Sequence, residues 1–239
     1  MRKLRLFYFG CCMLFFIKPS PAQDYKGELW GAYIGSVTLH PHWKIWNDYQ
    51  YISASVGMAR FGITYQTKKG YQFTTGYAYV KTSTANTKQL VRGENRLWAQ
   101  VLKNYRLTHQ LNYIVRLRYD GRFRQSLDNN ANIVDDSFTF NHRYRVMQDL
   151  RFRISPVRQE KFWHADLINE TLINSGKNVR DGLDQLRSYL MLGYTQPNLT
   201  VLAGYHQRFF PAVGQRWSLH QGFTVWMIHN ISLARPGNE

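Results

Sequence analysis

The stretch from Asp136 to Ile154, reading DSFTFNHRYRVMQDLRFRI, leaves few folds open. Its residues sort by parity. Arg143, Arg145, Met147, Asp149, Arg151 and Arg153 fall in one set. Phe138, Phe140, His142, Tyr144, Val146, Gln148, Leu150, Phe152 and Ile154 fall in the other. A period of two is the signature of a strand, because successive side chains leave opposite faces of a sheet. A helix would spread the arginines around its whole circumference. The stretch is also far longer than the usual strand of about five or six residues. A ribbon with one apolar and one arginine-rich face needs two solvents, which a barrel in lipid supplies: hydrocarbon outside and a polar lumen inside.

The N-terminus agrees with export. Arg2, Lys3 and Arg5 precede an apolar run from Leu6 to Ile17, and Ser20 and Ala22 place small residues before Gln23. This is the pattern of a secretory signal peptide over 1–22, leaving 23–239 as one β-barrel domain. The run is too short for a transmembrane helix, which needs ~20 residues. A lipoprotein site at Gly10-Cys11 would leave an apolar core of only about four residues, short of the roughly 7–15 of a signal peptide. Cleavage would remove both cysteines, Cys11 and Cys12, so no disulfide would staple the mature chain. Removing 22 of the 239 residues leaves 217, ample for one large all-β domain. The leader also takes four cations and no acid, lowering the net charge from +16 to +12. For an exported basic chain the expected partners are outer-membrane lipid headgroups, lipopolysaccharide phosphates or anionic solutes, with nucleic acid remote. Arginines simply solvated in a lumen or at a rim are the plainer reading. The mean hydropathy of −0.45 argues against a helical membrane protein and not against a barrel, where only alternate residues need be apolar.

Period-two segments recur along the chain. Glu28 to Gly35 alternates weakly, and Ser36 to Pro41 reads as a connection. Clear strands follow from Trp43, Gly57, Tyr71, Glu94, Leu111, Asp136, Phe162, Leu186, Leu199 and Ser218. Thr67-Lys68-Lys69-Gly70 has hairpin-turn composition. Polar loops are expected over 82–89, 126–135 and 174–182, and further connections at 106–110, 155–160, 196–198 and 211–215. Short and long connections alternate from residue 67 onward, as in transmembrane barrels. Aromatics crowd strand ends, among them Tyr49, Tyr51, Tyr77, Tyr79, Tyr119, Phe138, Phe140, Trp163, Tyr194, Phe209 and Trp217, as interfacial girdles require. The fold expected is therefore an all-β, antiparallel transmembrane β-barrel of ten to twelve strands. Eleven segments are readable, but bacterial barrels of this kind have even strand numbers. Glu28 to Gly35 is then a plug, an edge piece or one of twelve strands. A soluble exported sandwich or lipocalin-like ligand-binding barrel is the alternative architecture.

Several short matches, in order, resemble the domain of unknown function 2490 family of outer-membrane barrels. They are Trp30, Gly76-Tyr77-Ala78-Tyr79, Glu94 to Gln100 (ENRLWAQ), Val115 to Tyr119 (VRLRY), Arg143-Tyr144-Arg145, Asn169-Glu170, Asp184 to Arg187 (DQLR) and Gly204-Tyr205. The resemblance implies a Gram-negative outer-membrane barrel and carries no activity, substrate or catalytic residue. The chain departs from many such barrels in ending Arg235-Pro236-Gly237-Asn238-Glu239 rather than on an aromatic. The barrel-assembly machinery would have to read Phe223 to Ile231.

The inward charges are the candidates for chemistry. The network expected to line the lumen comprises Glu94, Arg96, Arg116, Arg118, Arg143, Arg145, Asp149, Arg151, Glu170 and Arg187. Asp120, His164, Asp166, His206 and Arg208 share that face. Arginines and carboxylates together suggest bidentate pairs that stiffen or plug the barrel. A surplus of arginine would suit a porin-like path for small anionic solutes. A phospholipase-like enzyme would need a serine beside a histidine. His206 and His220 lie on inward faces and Ser218 is near His220, but no nucleophile motif supports this reading. His164, Asp166 and Glu170 could converge on a metal, but they are common lumen polars. No cofactor, metal site or catalytic residue is assigned, and the oligomeric state is left open.

Overall fold

The structure is a computed structural model describing residues 24–53, 55–83, 91–127, 134–177, 179, 182–211 and 217–233. The leader, residues 84–89, 128–133, 178, 180–181 and 212–215 of the expected loops, and the tail after Leu233 lie outside the described residues. The described chain forms eleven strands: β1 (Asp24–His40), β2 (Trp43–Ile52), β3 (Val56–Gln66), β4 (Tyr71–Ser83), β5 (Val91–Arg106), β6 (Leu111–Leu127), β7 (Val134–Arg153), β8 (Phe162–Ser175), β9 (Leu183–Thr195), β10 (Leu199–Pro211) and β11 (Trp217–Ser232). Each pairs with its sequence neighbours, and β1 pairs with β11 to close a barrel.

Eleven lies between ten and twelve, and the even count expected for an antiparallel barrel is not kept. In an up-and-down meander with an odd number of strands, the first and last run in the same direction. Closure therefore needs one parallel pair, and β1 runs parallel to β11 from Asp24 beside Ser218 to Thr38 beside Ser232. The other ten interfaces are antiparallel. Glu28 to Gly35 is thus neither plug nor edge: it is bonded to β11 on one side and β2 on the other. Ser36 to His40, expected as a connection, continues β1.

The connections at one end are tight. The β3–β4 turn closes with Gly70 N donating to Thr67 O at 2.9 Å, and Gly70 holds a φ of 77°, which suits glycine. The β7–β8 connection narrows to a bridge between Arg158 and Lys161. Its two tip residues, Gln159 and Glu160, hold φ of 50° and 62°, as the central pair of a type I′ turn does.

Parity divides the wall cleanly. Leu29, Leu97, Leu190 and Phe223 point outward, and each is more than 60% exposed. Tyr49, Phe61, Phe73, Tyr144, Val146 and Trp163 share that outer face. The inner face carries nearly all the buried charge and also an apolar cluster that the sequence reading did not anticipate. Trp30, Ile52, Ile168, Tyr189, Met191 and Leu202 pack together in the lumen, with Val56, Met147, Trp226 and Ile228 against them. Glycines make room where wall and contents crowd. A Cβ on Gly76 would lie 1.9 Å from Phe61 O, and one on Gly62 would meet the Trp98 indole at 3.1 Å.

Candidate functional site

The lumen is filled in three tiers. Nearest the end where β1 begins, Glu94 on β5 is a hub. Arg122 spans both of its oxygens at 2.5 and 2.9 Å, Arg96 Nε donates at 2.5 Å, and Arg124 Nε donates at 3.2 Å. Beside it, Arg143 on β7 reaches Asp184 on β9 at 2.8 Å and Asn174 on β8 at 3.1 Å. Across the seam, Glu28 on β1 accepts from Arg208 on β10 at 2.8 Å and pairs with His220 on β11 at 2.7 Å. His206 Nε2 lies 3.5 Å away.

The waist is organised by Glu170 on β8. Arg145 on β7 grips it with two 2.9 Å bonds, Arg116 on β6 adds one of 2.8 Å, and Arg187 on β9 one of 3.4 Å. Arg118 donates to Asp120 at 2.7 Å, two residues along the same inward face of β6. Its guanidinium also lies 4.3 Å over the Trp98 ring. The guanidiniums of Arg187 and Arg208 both lie over the Trp30 ring, 5.3 and 5.5 Å from its centre. A weakly hydrated, planar guanidinium can pair and stack at once, which is why arginine rather than lysine fills this space.

The third tier approaches the tight turns. Arg60 on β3 holds Asp48 on β2 with bonds of 3.1 and 2.7 Å, and Arg151 on β7 holds Asp166 on β8 at 2.7 Å. His164 shares Asp166 at 2.7 Å. Beneath the waist lies a cavity of about 320 Å³ to which all eleven strands contribute. Its wall extends to Gln72, Leu102, Asn104 and Ile114, within a few residues of the turns.

The structure places all ten residues of the expected network on the inner face, but joins them unequally. Glu94 and Arg96 pair in the first tier, and Arg143 reaches Asp184 there. Arg116, Arg145, Arg187 and Glu170 form one cluster, and Arg118 sits with Asp120. Asp149 and Arg151 are only loosely paired, at 3.8 Å. The metal candidates do not form a ligand set: His164 serves Asp166, while arginines hold both oxygens of Glu170. Among the described residues no group of three or more His, Cys, Asp or Glu could hold a metal ion. Nor does Ser218 reach His220 among the described residues, since that imidazole's Nδ1 faces Glu28. Carboxylates saturated by guanidinium donors are poor general bases.

The sequence reading missed Glu28, Asp48, Arg60, Arg122 and Asp184. The signal for Arg122 was present, because Arg118, Asp120, Arg122 and Arg124 share one parity and β6 runs on to Leu127. Asp48 and Arg60 likewise share the inward parity of their strands. Glu28 was obscured by weak alternation, since glycines at 27, 31 and 35 blank much of the outward set.

The family model for a protein of unknown function, DUF2490, matches residues 27–218. The chain belongs to the DUF2490 family. The match runs from β1 into the start of β11, and so covers nearly the whole barrel. No curated protein and no solved structure matches the chain. As a DUF2490 barrel the molecule inherits a family without an assigned activity, so its chemistry has to be argued from the lumen itself.

Proposed function

We propose that this DUF2490 chain is an outer-membrane barrel of a Gram-negative bacterium, exported with a cleaved leader, whose lumen is sealed rather than conducting. Its role is structural: a stiff, membrane-embedded scaffold presenting its connections on either side. The observation that carries the reading is the inversion of polarity across the wall. Leucines, valines and aromatics point out and are exposed, while arginines and carboxylates point in and are buried. That is the reverse of a soluble β-barrel, whose apolar face turns inward. Phe140 and Phe152 on β7 are twelve residues apart. At about 3.4 Å per residue and a tilt of about 40°, that is roughly 30 Å, the thickness of a bilayer's hydrocarbon.

The seal follows from the tiers. Among the described residues, ion pairs engage eleven arginines and eight carboxylates, which leaves little free cationic lining for an anion path. Glu94, Asp120, Glu170 and Arg208 are each no more than 4% exposed, which a water-filled pore would not allow. Anionic lipid and lipopolysaccharide are the partners outside the wall, and the barrel-assembly machinery is the partner during insertion.

The test is refolding into detergent and then into a planar bilayer. The barrel reading expects a heat-dependent shift in gel mobility, and an unshifted band counts against it. The seal expects no steady conductance, and reproducible anion-preferring steps would replace it with a pore.

A further inference from the structure

The cavity beneath the waist has the chemistry of a binding site. One side is apolar: Ile34, Ile168, Leu202, Trp226 and Ile228 contribute to it. The other carries Gln50, Gln72, Gln100 and Asn104 beside the Asp48–Arg60 pair. Six buried polar atoms of the lining residues have no hydrogen-bond partner among the described residues. Four are donors, namely Trp30 Nε1, Trp226 Nε1, Arg60 Nη1 and Arg116 Nε, and two are acceptors, Gln100 Oε1 and Asp149 Oδ1. Trp30, Arg60 and Asp149 are each at most 4% exposed. A buried polar atom left without a partner carries an uncompensated desolvation cost. Of the eighteen such atoms among the described residues, six belong to residues that line this one cavity.

Charge narrows the class. The lining holds Asp48, Asp149, Asp166 and Glu170 against Arg60, Arg116, Arg145, Arg151 and Arg187, close to balance. An anion would face the free acceptors Asp149 Oδ1 and Gln100 Oε1. A cation would face the free donors of Arg60 and Arg116. A hydroxyl donates and accepts at once, so a neutral polyhydroxy molecule satisfies both sets. Indole and isoleucine surfaces opposite the amides suit the C–H face of a sugar ring. The volume of about 320 Å³ lies at the small end of ligand pockets, about 300–1,000 Å³.

We propose that the cavity binds a small neutral carbohydrate of one or two rings, entering from the end of the barrel that carries the tight turns. This goes beyond the scaffold role and does not depend on the bilayer, so it is tested on detergent-refolded full-length protein. Glucose, galactose, N-acetylglucosamine and maltose are titrated by calorimetry and by tryptophan fluorescence, with inorganic phosphate and spermidine as charged comparators. The expected result is saturable binding of at least one sugar, undisturbed by phosphate or spermidine. Binding should weaken at least tenfold in Gln100→Leu and in Asp149→Leu. Ile228→Phe, which fills the cavity from its apolar side, should do the same even where a polar variant refolds poorly. Heat-dependent gel mobility reports folding separately. Absence of saturable binding by all four sugars to heat-shifting protein overturns the proposal. So does tighter binding of phosphate or spermidine than of any sugar. Loss of the mobility shift in the parent protein would instead strike at the barrel reading.

Discussion

Glu170→Gln is the most informative single change. Glu170 is 4% exposed and accepts from Arg145, Arg116 and Arg187, on three different strands. Glutamine keeps the volume but removes the charge. It also replaces one acceptor oxygen with an amide that presents hydrogens to guanidinium hydrogens. Buried Arg145 and half-buried Arg116 and Arg187 lose their shared counter-charge, and among the described residues Arg145 keeps Asp120, 3.7 Å away. Breaking a buried pair by removing one partner typically costs about 3–5 kcal/mol. With a guanidinium dependence of roughly 2–6 kcal/mol per molar, the unfolding midpoint should fall on the order of 1 M. The loss of the heat-shifted gel band against guanidinium concentration reads this directly. Glu160→Gln, at the exposed β7–β8 turn, is the control and should stay within about 0.5 kcal/mol. Adding Arg145→Met to Glu170→Gln should cost less than the two changes separately, because the second removes a charge the first has orphaned. A Glu170→Gln midpoint equal to that of Glu160→Gln, or strict additivity in the double variant, would refute the hub.

Three further outcomes follow from the wall. Val146→Arg, outward in the middle of β7 opposite Leu117, should cost about 2–4 kcal/mol in lipid, whereas Phe152→Arg, next to the strand's end, should cost about 0–1. Equal costs in a vesicle unfolding titration would remove the depth argument. Gly222→Ala places a Cβ 1.8 Å from Glu28 O across the parallel seam, so it should lower the yield of heat-shifting barrel and destabilise what folds by about 1–3 kcal/mol. A normal yield with an unchanged midpoint would mean that the seam opens without cost. A variant retaining only Trp163, 46% exposed, should be quenched by brominated lipid, while one retaining only Trp98, 2% exposed, should not. Equal quenching would reverse the faces.

Much of this architecture is legible in a single sequence because a strand's side chains alternate strictly. Parity alone put Arg143, Arg145 and Glu170 on one face and Tyr144, Val146 and Leu167 on the other, and no tertiary contact could have altered that. Clusters of polar residues separated the strands, so eleven segments were countable. What parity cannot supply is which strand lies opposite which. That Arg116 reaches Glu170 on β8, that Trp30 meets Tyr189 at 5.6 Å, and that Arg143 finds Asp184 on β9 depend on curvature and register around a closed wall. The closure itself was equally hidden. The alternation of β1 is diluted by Gly27, Gly31 and Gly35, and only its bonds to both β11 and β2 make it a full strand. The apolar cluster in the lumen was missed for a related reason. Trp30, Ile168 and Leu202 look out of place on a polar face when each strand is read alone. They make sense only where the curved wall brings them together, so that each one removes the others from water.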